Sequence, residues 1–252
     1  MSYLNKITKE DLQDLFSLIP ELQKHSKELM EKTIQTKKYY NSCNDKDKLR
    51  DLQELENKWY LSLKNNQPDY SVYSSKYFIC DAWCCWLICS RKYIKAIIKN
   101  NIIPENTKTI LDIGNGIGYS TKAIEEAYPN AEVLGYNLKD TLQWQICNKI
   151  NCKMTDELIK ADVVFCSEYF EHIEEPIKHL LEIINKCNPQ MLIIANSFNS
   201  TSVGHFLHFK YNNELIPRNK IGKIFNNTLR ANNYTMEKYG LWNNRPNIWV
   251  KN

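Results

Sequence analysis

"TILDIGNGIGYST" (Thr109–Thr121) passes from an apolar run rich in Ile and Leu into three glycines at alternate positions, Gly114, Gly116 and Gly118. A helix-forming stretch, "GYSTKAIEEAYP", follows directly. A strand that turns on glycines into a helix lets the backbone come close to a ligand at the carboxyl edge of a parallel sheet. The G-x-G-x-G spacing differs from the G-x-G-x-x-G of dinucleotide sites, and Asp112 stands two residues before the first glycine. A pyrophosphate would be repelled by that carboxylate, whereas a ligand bearing an ammonium group would be attracted to it.

Outward from this turn the chain alternates strand and helix. "KTILDIG", "AEVLGYN", "ADVVFCS" and "QMLIIANS" read as strands. "GYSTKAIEEAYP", "KDTLQWQICNKI" and "PIKHLLEIINKC" read as the helices between them, with a short, weakly apolar strand around "NCKMT". A polar, histidine-containing loop then leads to the helix "KIGKIFNNTLRANN" and two last strands, "YTMEKYGLW" and "PNIWVK". The reading places these two as an antiparallel pair, joined by a tight turn at the sheet edge. Such alternation predicts an α/β fold, doubly wound around a mostly parallel sheet.

Residues 1–100 read differently, as a helical N-terminal extension to a core over 101–252. "KEDLQDLFSLIPELQKHSKELMEKTIQ", "DKDKLRDLQELENKWYLSLKN" and a Cys/Trp-rich stretch continuing through "SRKYIKAIIKNN" carry helical periodicity. The loop "NQPDYSVYSSKY" precedes the third of these and could set Tyr70, Tyr73 or Lys76 over a site as a lid. An interaction surface or simple stabilisation of the core fits the same residues.

Composition is that of an ordinary globular chain, 43% hydrophobic and 25% charged, with a net charge of +4. The charge is unevenly spread. Residues 111–200 hold seven Lys/Arg against thirteen Asp/Glu, and residues 201–252 hold eight against two. An acidic core beside a basic segment suits a site that holds a cation and faces an anion, but a solvated basic face is the preferred reading. The longest apolar run, "YFICDAWCCWLIC", contains Asp81 and is shorter than the about 20 residues of a membrane span. No export signal is visible at the N-terminus, and nine cysteines in apolar surroundings predict free thiols in a reducing, cytoplasmic setting. On a helix Cys80 and Cys84 point away from Cys85 and Cys89, so the four do not form a metal cluster.

"ILDIGNGIG" resembles the first motif of class I S-adenosylmethionine-dependent methyltransferases, and the alternation through Asn252 resembles their seven-stranded, Rossmann-like core. The likeness covers about three-fifths of the chain. It implies S-adenosyl-L-methionine as cofactor, with Gly114, Asn115, Gly116 and Gly118 cradling its methionine and ribose parts and Asp112 near its amino group. It also implies contacts from Asn137, Leu138 and Ser167. Family members usually carry an acidic residue where this chain has Asn137; an amide can still bond the ribose hydroxyls, but without charge.

"SEYFEHI" (Ser167–Ile173), after the fourth long strand, would lie where the methyl acceptor binds. On an α-helix Glu168, Glu171 and His172 would share one sector about 100° wide. Their E-x-x-E-H spacing is similar to that of two groups of metal-dependent O-methyltransferases, those acting on the 3′-terminal 2′-hydroxyl of small RNAs and those of ubiquinone biosynthesis. The resemblance implies a divalent cation, Mg, Mn, Fe or Zn, held by Glu168, Glu171, His172 and a later histidine. His205 and His208 both qualify, and the reading favours His208. A cation there would lower the pKa of an acceptor hydroxyl. Acid/base use without metal and a purely structural role are the alternatives.

The implied reaction is O-methylation of a hydroxyl-bearing acceptor, RNA or a nucleotide ahead of a small phenolic compound. The basic residues Lys210, Arg218, Lys220, Lys223, Arg230 and Arg245 lean that way, as do Phe206, Phe209, Tyr211, Trp242 and Trp249 if they offer stacking faces. The loop "GLWNNRPN" projects Arg245 and could recognise a substrate. A non-catalytic cofactor-binding module is the competing class, and Asn137 is its best support.

Overall fold

The computed structural model describes Tyr3 and residues 50–75, 78–79, 82, 85–241 and 244–252. Lys76, Cys80, Cys84 and Trp242 lie outside the described residues.

Seven strands form one sheet. They are β1 (Thr109–Ile113), β2 (Glu132–Tyr136), β3 (Met154–Thr155), β4 (Val163–Ser167), β5 (Met191–Ala195), β8 (Tyr234–Glu237) and β9 (Asn247–Lys251), in the order β3-β2-β1-β4-β5-β9-β8. The first five run parallel; β9 is antiparallel to both β5 and β8. The doubly wound, mostly parallel sheet expected from the sequence is present. The last two strands depart from expectation. Residues 238–246 form a longer connection than a tight turn, and β9 inserts between β5 and β8, leaving β8 at the edge. "NIWVK" explains this, since Ile248 and Trp249 are buried and suit an interior strand, while β8 alternates buried and exposed positions.

Helices cover both faces. Alternate residues of β1 and β4 point to opposite sides: Ile110, Val163 and Phe165 to one core, Leu111, Ile113, Val164 and Cys166 to the other. The first core holds residues of α2 (Arg91–Lys99), α3 (Tyr119–Ala127) and α4 (Leu142–Lys149). The second holds residues of α5 (Pro176–Cys187) and α6 (Arg218–Ala231), together with Trp59 of α1 (Arg50–Lys64). Trp59 is fully buried and donates from Nε1 to the His205 carbonyl at 2.7 Å, so α1 is fastened to the core.

The polar stretch after β5 forms a hairpin that the sequence reading missed, β6 (His208–Tyr211) and β7 (Glu214–Pro217). Cys89, Cys147, Cys152, Cys166 and Cys187 are free thiols, as expected. Among the described residues no helix is long and apolar enough to cross a membrane.

Candidate functional site

A cavity of about 850 Å³ opens along the carboxyl ends of β1, β2 and β4. One end is the glycine turn. Gly114, Gly116 and Gly118 adopt φ of +70°, +55° and +83°, a region that a Cβ disfavours. The turn is braced from beneath. Asn115 is buried and donates to Thr121 Oγ1 at 3.0 Å, while its Oδ1 accepts from Asn137 Nδ2 at 3.2 Å. Asn137 Nδ2 also reaches the Gly116 carbonyl at 3.2 Å, and its Oδ1 accepts from the Leu138 N–H at 2.8 Å. Both amides therefore tie the turn to the end of β2, and their polar atoms are already engaged there. Leu138, 65% exposed, forms the outer rim.

Asp112 lines the cavity yet is only 1% exposed. Its Oδ2 accepts from Ser120 at 2.6 Å and Thr121 at 2.8 Å, which anchors the first turn of α3. Burial pushes its pKa up to about 6, and the two hydroxyl bonds oppose that rise. An ammonium placed beside it would restore the charged form.

The other end carries "SEYFEHI". Here the chain does not form the single helical face that the spacing suggested. Glu168 has φ +50°, and only Phe170–His172 makes a short 3-10 turn. Pro176 at the first position of α5 fixes that helix's start four residues further on. A left-handed Glu at a strand end costs of order 1–3 kcal/mol, the kind of strain that gathers at functional sites. Its N–H still bonds the Ala195 carbonyl at 2.6 Å, holding it on the β4–β5 ladder.

The turn brings the expected residues together by another route. Glu168 Oε1 accepts from the Tyr93 hydroxyl at 3.1 Å and lies 3.6 Å from Arg245 Nη1. Glu171 is fully buried; its Oε1 accepts from the Ser197 N–H at 2.8 Å and its Oε2 has no partner. Burial, with the Glu168 carboxylate nearby, holds Glu171 well above the usual carboxylate range, although no hydrogen bond of ordinary geometry joins the two. His172 packs edge-on against Tyr73 and Phe78, and its ring centre is 4.6 Å from that of His205. Burial drives both imidazoles below the ordinary histidine value, so they are neutral near pH 7. His205 Nδ1 lies 3.1 Å from Ser200 Oγ and 3.3 Å from its carbonyl. Of the two candidate histidines, His205 lines the cavity. His208, which the sequence reading favoured, is exposed on β6 and outside it, because the hairpin turns it away.

The donor types would suit a divalent cation, and Glu171 Oε2 and His172 Nδ1 are buried without partners. Their positions do not fit one. Among the described residues no three His, Cys, Asp or Glu side chains converge as metal ligands. Glu168 faces a guanidinium and a phenol, and His205 Nδ1 faces Ser200, whereas His172 Nδ1 has no partner. Among the described residues no ready-formed metal centre is found, and Arg245 supplies positive charge beside Glu168.

Ser167 Oγ, at the end of β4, pairs with Ser90 Oγ at 2.9 Å. The loop before the third N-terminal helical stretch does reach the cavity: Tyr70 and Tyr73 both line it. The Tyr73 hydroxyl donates to the Gly204 carbonyl at 2.6 Å, and Gln143 Nε2 bonds the Tyr73 carbonyl. The proposed stacking faces are used inside the protein. Phe206, Phe209 and Trp249 are buried core residues, Lys210 pairs with Glu174 at 2.9 Å, and Arg230 lies over Trp249. Sequence reasoning did not single out Tyr93, Ser90 or Ser197, whose roles depend on contacts far apart in the chain.

No protein-family model matches the chain, and no curated protein sequence matches it. Similar solved structures include the plantazolicin methyltransferase BpumL in complex with a pentazolic desmethylPZN analogue and SAH, 20% identical over 59% of this chain and 61% of that one, with a TM-score of 0.41. An O-methyltransferase family protein from Burkholderia thailandensis is 9% identical over 69% of this chain and 59% of its own (TM-score 0.48). DesVI of Streptomyces venezuelae is 10% identical over 68% and 98% (TM-score 0.46). The chain spans about three-fifths of the length of BpumL. At such identities and scores the likeness concerns fold and carries no argument about activity.

Proposed function

We propose that the protein is an S-adenosylmethionine-dependent methyltransferase acting on a hydroxyl of a molecule that enters the cavity. One observation carries this reading: a single cavity joins a left-handed glycine turn beside a buried Asp112 to a polar cluster of Glu168, His172 and His205. At Gly116, where an added Cβ would meet only Ala82 at 3.7 Å, the turn would leave room for the cofactor, and Asp112 would take its ammonium. The sulfonium methyl would then face the cluster.

S-adenosylmethionine held there would supply the methyl to the acceptor oxygen and leave as a neutral thioether, so the chain itself must take up the hydroxyl proton. A neutral imidazole in the cavity can receive it, and His172 is kept neutral by burial. Arg245 offsets the charge of Glu168, and Tyr73 and Phe78 keep water from the His172 ring. Nucleotides and phenolic compounds both belong to the acceptor class.

A second reading, a cofactor-binding regulatory module, is favoured by Asn137, whose amide is spent on the turn where a ribose would need it. Incubation with S-adenosylmethionine carrying a 13C-labelled methyl and a panel of hydroxyl and amine acceptors tests the proposal. An O-methyl resonance in the product is expected. An N-methyl product, or none from a protein that binds cofactor, would contradict it.

A further inference from the structure

Behind the acceptor end lies a second, smaller cavity of about 180 Å³. It shares the walls Ser197 and Ser200 with the large cavity and is flanked by Arg218 and Arg245. We infer that this cavity binds an oxyanion, a phosphate or a carboxylate, carried by the same acceptor molecule whose hydroxyl is methylated. The inference rests on the methyltransferase reading and narrows its substrate.

Two guanidiniums converge here from separate elements. Arg218 opens α6, and Arg245 comes from the connection between β8 and β9. Arg245 is oriented by Ser197 Oγ, which accepts from Nη1 at 2.5 Å, and by Glu168 at 3.6 Å. Arg218 has only a long bond, 3.5 Å, from Nη1 to the Ser200 carbonyl. Among the described residues no ion pair joins Arg218 to a carboxylate. Planar guanidiniums match carboxylate and phosphate oxygens in pairs; here Arg218 brings the charge not paired with a described carboxylate, and Arg245, shared with Glu168, brings further N–H donors. Asn219 and the first turn of α6 complete the wall, adding the positive end of a 14-residue helix. The volume is below the about 300 Å³ at which whole-ligand pockets begin, so it takes a group and not a whole molecule. Because Arg245 also touches Glu168, an anion bound here would stand next to the reacting hydroxyl and fix its approach.

The test is titration of inorganic phosphate, and separately of acetate, into the full chain saturated with SAH, for wild type, Arg218→Gln and Arg218→Lys. SAH affinity is measured in parallel. The expected result is saturable anion binding to wild type, weakened about tenfold in Arg218→Gln and less in Arg218→Lys, with SAH affinity unchanged. Preference for phosphate assigns a phosphorylated acceptor, and preference for acetate a carboxylated one. Equal anion binding by wild type and both variants, or no binding of either anion while SAH binds, overturns the inference and leaves the transferase reading standing. A wild type that binds phosphate but no SAH removes that reading and the acceptor assignment with it.

Discussion

The ring of Tyr169 lies so close over Gly114 that a Cβ on residue 114 would stand 2.1 Å from the Tyr169 Cδ2. The segment bearing Glu168, Glu171 and His172 is thereby seated directly on the glycine turn. Tyr169 is held from its far end by a 2.9 Å bond between its hydroxyl and His179 Nε2. Gly114→Ala combines this clash with φ +70° and is expected to cost about 2–4 kcal/mol or to prevent folding. Tyr169→Phe keeps the ring and should cost about 1 kcal/mol. Thermal unfolding of the two variants checks the ranking.

Asp112 predicts a pH-dependent stability. Unfolded, it titrates near 3.8; folded, near 6. Between those values the native state holds a proton that the unfolded state has released, so its contribution is full below about pH 4 and is lost as pH rises through 6. Asp112→Asn is therefore expected to gain about 1–3 kcal/mol relative to wild type above pH 7 and nothing at pH 4. Denaturant melts at the two pH values decide it. An unchanged difference across the range would contradict the assignment.

Burial favours the neutral form of Glu171. Its Oε1 accepts from the Ser197 N–H and its pKa is raised by burial. Glu171→Gln reproduces that acceptor and should leave stability within about 1 kcal/mol and methyl transfer within a few-fold near pH 7. Glu171→Ala leaves the N–H unpaired beside a void and should cost about 2–4 kcal/mol. His172→Ala, by contrast, is expected to lower turnover by about a hundredfold or more with cofactor binding retained.

Chelation separates this cluster from a metal centre. Glu168 is already balanced by Arg245, and no three ligand-type side chains converge among the described residues. EDTA dialysis is expected to leave turnover and melting temperature unchanged. Loss of turnover restored by added Mn²⁺ or Mg²⁺ would show that the four side chains regroup around a cation.

The sheet was legible because buried parallel strands are written as short apolar runs, and "TILDI", "VVFCS" and "MLIIA" fall where β1, β4 and β5 do. The glycine turn was legible because left-handed backbone needs glycine. Glu168 was not, since a left-handed Glu at the end of β4, still bonded through its N–H to Ala195, carries no compositional mark. Helical spacing predicts one shared face for Glu168, Glu171 and His172, whereas a left-handed residue and a short 3-10 turn set their positions. The β6–β7 hairpin turns on Asn212 and Asn213, a left-handed pair with a readable signal that was passed over, and it removes His208 from the site. Periodicity likewise does not reveal that Arg245 meets Glu168, or that Trp249 is core and no stacking face.

Calorimetric titration of SAH into the wild-type chain tests the central claim most directly. One site per chain is predicted, with affinity reduced at least tenfold in Asp112→Asn, which keeps the turn but removes the carboxylate facing the ammonium. Absence of saturable heat from a folded wild-type protein would contradict the claim that the glycine turn holds a methyl donor.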